Sequence, residues 1–366
     1  MNKKFDFIDA IRGLAIIGVV AVHASNYGIF KASEMTTRII NHGARGVQLF
    51  FLASAFTLFY SFENRINKEK SYIKNFFIRR FFRIAPLYYI GIIYYLIQDG
   101  LGPKETLGDS TGISLLNILS NFSFSHGINP YWINSVVPGG WSIAVEMTFY
   151  LFLPFIFFKI QNLNKAITFF FSSLVLRKVL AMYLVKHNLI SDERLWDEFL
   201  FFYFPSQLPI FMLGLILYFI ILKEEKPEIS PINLILFSGL ILIQALTEIY
   251  FLFPTHIIFG FSFFFLFWGL SKYPIKIIVN PIINYIGRVS FSIYIVHFAV
   301  FHLMEKYTFV DFIEVNSGLT NIINYGIRFL IGISISIGIS TILNKVIENP
   351  MQNLGKKIIE KIELKK

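Results

Sequence analysis

The chain has 366 residues, 55% of them hydrophobic and only 15% charged, with a mean hydropathy of +0.60. A soluble domain carries about 25% charged residues, so this composition excludes an ordinary soluble globule and predicts an all-α integral membrane protein. The net charge of +10 does not predict a nucleic-acid partner, because the basic residues lie in short segments between apolar runs, where they accord with a lipid bilayer and the positive-inside rule. With no cysteine, disulfides, thiolate catalysis and Cys-ligated metals are excluded.

Apolar periodicity predicts a bundle of about ten transmembrane helices, over 8–28, 45–62, 83–99, 146–162, 165–185, 199–222, 232–252, 255–271, 288–305 and 322–347. The first opens with Asp6, Asp9 and Arg12, runs apolar from Gly13 to Val22 and ends on His23. These early charges favour an uncleaved first span over a signal peptide. Arg12 and His23 are eleven residues apart, close to three helical turns, so they share one face roughly 16 Å apart along the axis. An ionisable side chain inside a span is costly and marks a functional site by default.

The second span carries Ala53, Ser54 and Ala55, small residues that suit close helix packing. Ahead of the third, loop 62–83 holds seven Lys and Arg against Glu63 and Glu69, and its Arg80 and Arg83 are neighbours on one helix face. Two such guanidiniums suit a phosphate group or serve as an ordinary basic anchor. Pro86 is expected to bend or start this span.

Segment 100–145 is polar, contains Lys104, Glu105 and Asp109, and is long enough for a functional cap. Together with acidic 186–198 it contrasts with basic 62–83, KEEKPE at 223–228, KYPIK at 272–276 and the closing lysines, which places both termini in the cytoplasm. Glu146 enters the fourth span behind Trp141 and Ser142, where it is either solvated or paired with His23, whose depth also lies toward the outer side. Tyr131, Trp132 and Trp141 are interfacial anchors or sugar-stacking platforms. The ninth span carries Ser290, Ser292, Tyr294 and His297, the last expected to pack or hydrogen-bond, whereas His42, His126, His187 and His256 receive no role. No metal-ligand spacing appears, and none is expected.

In order, the chain reads Asp9-x-x-Arg12-Gly13 ending on His23, Gly46-Val47-x-Leu49-Phe50-Phe51, and Arg80-x-x-Arg83-Ile84-x-Pro86-x-Tyr88. Trp141-Ser142-x-x-x-Glu146-x-x-Phe149-Tyr150-Leu151-x-x-Pro154, Tyr285-Ile286-Gly287-x-x-Ser290-Phe291-Ser292-Ile293-Tyr294-Ile295-x-His297 and Glu348-Asn349-Pro350 follow. This order resembles the acyltransferase-3 family of integral membrane acyltransferases from Phe5 to about Pro350. The resemblance implies a transmembrane domain over 1–350 and a basic cytoplasmic tail over 351–366. It implies transfer of an acyl group, usually acetyl, from cytoplasmic acyl-CoA to a hydroxyl of a glycan or envelope molecule outside a bacterial-type plasma membrane. Arg12 and His23 match its Arg–x10–His motif, Arg80 and Arg83 its Arg-x-x-Arg motif, and Glu146 its acidic position. Gln48 departs from the family's Gly-Val-Asp and argues against an acidic role there. Ala55, Ile143, Met147 and Thr148 are further departures, and none removes a proposed catalytic group. Some members carry a fused soluble hydrolase-like domain, for which this chain has no room.

The expected chemistry has acyl-CoA as donor substrate, with no permanently bound cofactor. Its phosphates meet Arg80, Arg83 and Arg12, and His23 acts as general base oriented by Glu146 or is itself transiently acylated. Trp141, Ser142 and Tyr131 are the candidates for contact with the acceptor. The competing class is a polytopic transporter or flippase of an anionic envelope precursor. That class more often shows repeat symmetry and mid-membrane broken helices, neither of which is evident in the sequence.

Overall fold

The computed structural model describes residues 5–103, 108, 110–223, 229–247, 253–314 and 317–364. Lys104, Glu105, Asp109, most of 223–228, the end of the predicted span 232–252 and both chain termini lie outside the described residues. Every regular element among them is helical: α1 Asp6–Ala24, α2 Glu34–Asn41, α3 Gly46–Ile66, α4 Tyr72–Asp99, α5 Leu115–Phe122, α6 Gly140–Lys159, α7 Leu163–Lys186, α8 Glu193–Phe202, α9 Phe204–Leu222, α10 Pro231–Thr247, α11 Thr255–Lys272, α12 Pro281–Arg288, α13 Ser290–Lys306, α14 Gly318–Leu343 and α15 Asn349–Leu364. The connections supply many of the caps. Ser33, Ser114, Asn162, Asp192, Asn280 and Ser317 each accept a hydrogen bond from a first-turn amide of the helix that follows.

Eight helical stretches are long and apolar enough to cross a membrane. The other two predicted segments differ for identifiable reasons. The segment 288–305 belongs to α12 and α13, a pair bent by 78° that makes a ninth candidate if it is one span. The segment 232–252 begins with α10, an apolar helix of 17 residues, and continues beyond the described residues. The run 146–185 divides into α6 and α7, as expected, at Ile160–Asn162. Two starts move upstream. Helix α4 begins at Tyr72 and α6 at Gly140, so Arg80 and Glu146 sit about two turns inside their helices. Pro86 lies within α4, which neither starts nor ends there.

The chain divides into two compact units, Met1–Ala53 with Lys226–Asn344, and Ser54–Glu225 with Lys345–Lys366. In the first, α1 is a buried spine: Ala10, Ile11, Ala15, Ile16, Val19 and Val20 are sealed from solvent. Its tightest approach is to α12. A Cβ on Gly287 would fall 1.8 Å from the Asp9 carbonyl oxygen, and one on Gly13 would fall 2.3 Å from that of Ile283. Only hydrogen fits at either position, so these glycines fix where the His23-bearing helix lies.

In the second unit, α7 flanks α9 and leaves Phe171, Val175, Val179 and Met182 exposed at helical spacing, a face suited to lipid. Helix α15 lies along α4, with Gly355 against Phe82. Near its end, Glu363 accepts hydrogen bonds from the amides of Lys70 and Ser71, at 2.8 and 2.9 Å, and from Asn75 Nδ2 at 2.7 Å. This carboxylate satisfies amides at the start of α4 that no helical carbonyl can reach. Glu69 similarly gathers Arg65, Arg79 and Asn75.

Candidate functional site

In the first unit the central feature is a histidine pair. His23, in the last turn of α1, places its Nδ1 3.0 Å from Nε2 of His297 on α13. His297 is fully buried, and its Nδ1 donates to the Ile293 carbonyl at 3.0 Å. Phe298 lies 4.2 Å, centre to centre, from both imidazoles. Arg12 lies half-buried on the same continuous helix as His23, as the spacing requires.

The chain just beyond His23 is held by Arg328, which is completely buried on α14. Its guanidinium donates to the carbonyls of Ala24, Ile29 and Val310 and to Asp311 Oδ1, the last at 2.7 Å. Asp311 in turn accepts from the Ile29 amide. Gly28 occupies the left-handed region at φ 60°, and a Cβ there would fall 2.5 Å from the Arg328 guanidinium.

In the second unit Glu146 is the acceptor of two short hydrogen bonds, from Ser54 Oγ at 2.6 Å and Tyr150 Oη at 2.5 Å. The Arg80 guanidinium lies 5.9 Å from the ring centre of the same Tyr150 and 5.9 Å from that of Phe76. The structure therefore brings Arg80, Tyr150, Glu146 and Ser54 into one cluster. Arg83 is three residues from Arg80 on α4, and among the described residues neither guanidinium has an ion pair or hydrogen bond.

Segment 113–140 packs through polar groups. Tyr88 Oη donates to Asn121 Oδ1, and His126 Nε2 donates to the Gly140 carbonyl at 3.1 Å with Tyr88 Oη beside it. Asn117 bonds Ser135, and Asn121 bonds Asn117. This network positions the start of α6. Trp141 is buried with its ring 4.6 Å from Phe202, Ser142 is buried and donates to the Gly139 carbonyl, and Tyr131 is half-exposed.

Burial pushes the His126 imidazole down from 6.5 to about 4. A histidine whose folded pKa is depressed contributes stability that is complete above the unfolded value and is lost as pH falls from 6.5 toward 4. The loss attributable to His126 is about 2 kcal/mol at pH 5 relative to pH 7.5. Thermal denaturation in detergent is expected to show a larger drop in Tm between those pH values for the wild type than for His126→Gln. Equal drops would show that this ring is not held neutral by the fold.

A family model described as an acyltransferase domain matches residues 5–345. The chain belongs to the acyltransferase-3 family. Among curated proteins it is 29% identical over 160 residues to the peptidoglycan O-acetyltransferase OatA of Listeria monocytogenes, covering 42% of this chain and 24% of that protein. It is 24% identical over 397 residues to a putative O-acetyltransferase of Staphylococcus aureus, covering 98% of this chain and 59% of that protein. A putative acetyltransferase of Acidianus two-tailed virus is 25% identical over 320 residues, covering 84% and 85%. The chain thus spans about a quarter and three-fifths of the lengths of the first two relatives. No solved structure matches it.

Against this family background, two residues stand out to which the sequence assigned no role: His126 is a buried anchor in the connection between α5 and α6, and Arg328 clamps the segment after His23. His297, expected to pack or hydrogen-bond, has His23 as its partner. Arg328 carried a readable signal, because the cost of an intramembrane charge that flags Arg12 and His23 applies equally to an arginine within 322–347.

Proposed function

We propose that this chain is a multi-pass membrane O-acetyltransferase that takes acetyl from cytoplasmic acetyl-CoA and esterifies a hydroxyl of an envelope glycan. Family membership and the names of the relatives support the reaction class. The geometric observation that carries the donor assignment is the adjacency of Arg80 and Arg83 on α4, two guanidiniums without a direct ion pair or hydrogen bond among the described residues. Like charges left together call for a polyanion, and the phosphates of a CoA thioester supply one. Glu146, fixed by Ser54 and Tyr150, offsets part of that charge locally. Its support of His23 is a further proposal, carried by the order of the motifs.

In the direct route His23 accepts the hydroxyl proton as the acceptor oxygen bonds to the thioester carbonyl carbon. The carbon–sulfur bond then breaks and the thiolate takes the proton from His23, leaving ester and free CoA thiol. Arg80→Ala and Arg83→Ala are expected to raise KM for acetyl-CoA by about 10- to 100-fold, the worth of one charge-assisted phosphate contact, with kcat and abundance little changed. An unchanged KM with collapsed abundance would make these arginines topological anchors. The proposed reaction itself is tested by alkali-labile acetate in envelope glycans of cells with and without the protein. Equal ester content would reject it.

We place about ten spans in the plasma membrane, with both termini in the cytoplasm and segment 100–145 outside, on the Lys and Arg bias of the loops. In this cysteine-free chain, Thr111→Cys is expected to react with an impermeant thiol reagent on intact cells and Lys70→Cys is not. The reverse pattern would invert the orientation and the side assigned to the donor.

A further inference from the structure

We infer that His297 is a positioning residue that sets the proton of His23 on Nδ1 and so leaves Nε2 as the bare, basic nitrogen. The inference rests on the general-base reading of His23 above and adds to it the atom that does the work. It follows from two hydrogen bonds. A carbonyl oxygen only accepts, so the bond from His297 to Ile293 fixes the hydrogen on His297 Nδ1. A neutral imidazole carries one N–H, which leaves His297 Nε2 with a lone pair. That nitrogen is 3.0 Å from His23 Nδ1, so the bond between the rings requires His23 Nδ1 to be the donor. With both rings neutral, one proton arrangement satisfies both contacts, and in it His23 Nε2 is free to take a proton from a hydroxyl.

Burial strengthens the assignment. His297 has no exposed surface, so water does not compete for its Nε2, and Phe298 lies against both rings. The device parallels catalytic sites in which a fixed acceptor on one imidazole nitrogen makes the other the base. Here the acceptor is a second, uncharged histidine, whose own tautomer is set by the backbone one turn earlier. An isolated imidazole in water prefers its proton on Nε2, the arrangement in which His23 Nε2 would be a donor and the ring's lone pair on Nδ1 would face His297.

The test reads the proton directly and then the rate. Protein carrying nitrogen-15 histidine, reconstituted in lipid bilayers, reports the protonation of each ring nitrogen, and His23 is the signal lost in His23→Asn. The expected state has Nδ1 protonated and Nε2 not. In His297→Leu the His23 signal is expected to move toward Nε2 protonation, whereas in His297→Gln the amide oxygen still accepts and the wild-type signal is retained. With acetyl-CoA as donor and native envelope as acceptor, kcat is expected to fall at least about tenfold in His297→Leu and to recover to within about threefold in His297→Gln, with KM for acetyl-CoA unchanged. Wild-type His23 protonated on Nε2, or on both nitrogens, would overturn the inference. So would an unchanged kcat in His297→Leu. If the tautomer is as stated but His23→Ala transfers acetyl normally, the proton assignment stands and the general-base reading falls.

Discussion

His23→Ala is expected to yield a protein that inserts and folds but transfers acetyl at least about 100-fold more slowly, the usual contribution of a general base. The expectation combines three observations. His23 is an ionisable group near the end of a membrane-type helix, it shares a face with Arg12, and a buried partner holds its ring. The competing view makes the histidine pair a packing device. In that case removing His23 loses one interhelical hydrogen bond, costs roughly 1–2 kcal/mol of stability and leaves turnover intact. Proteoliposomes supplied with acetyl-CoA on one side and envelope glycan on the other separate the two, because rate and melting temperature are read on the same sample. Glu146→Gln belongs in the same experiment. It removes charge with little change in volume, and Ser54 and Tyr150 can still donate to the remaining carbonyl oxygen. Turnover is expected to fall while KM for acetyl-CoA is preserved. Wild-type transfer by His23→Ala would end the proposed mechanism.

Arg328→Leu is expected to be the most damaging substitution to the fold of the first unit, lowering stability by about 3–5 kcal/mol. The side chain is completely buried, and its loss strands the carbonyls of Ala24, Ile29 and Val310 as well as the Asp311 carboxylate. Leucine fills much of the volume but satisfies none of these acceptors. Arg328→Lys keeps the charge yet has no planar fork to serve several acceptors at once, so an intermediate loss is expected. Melting in detergent, together with the fraction of protein recovered from membranes, measures both. A Leu variant that melts with the wild type would show that the clamp contributes no net stability. Activity is expected to fall with stability, because the Ala24 carbonyl follows His23 directly.

Membrane character and the helical segments were legible, and Arg12 and His23 could be singled out as candidates, because each depends on local chemistry. Apolar runs of span length are unambiguous, and a charge inside one stands out against them. The starts of α4 and α6 were less visible. Lysines and arginines between 74 and 83 look like loop residues, yet Arg79 pairs with Glu69 and Arg80 lies against aromatic rings, so the helix extends through them. That shift explains how Arg80 and Glu146 come to share Tyr150 although their spans seemed to begin at opposite surfaces. The His23–His297 bond and the Arg328 clamp link positions about 300 residues apart. No periodicity in the chain reports such closures, which depend on how α1, α13 and α14 meet.

The bonds of Glu363 set unequal constraints on the positions they join. Lys70 and Ser71 offer only main-chain amides, so over evolutionary time these positions can accept almost any residue except proline, which has no amide hydrogen. Asn75 contributes its side chain and Glu363 its carboxylate, so neither can drift alone without stranding the other. In diverging descendants of this sequence, positions 75 and 363 are therefore expected to change as a pair while 70 and 71 wander. The basic-looking tail would carry one position of restrained substitution, set by the helix that bears Arg80 and Arg83.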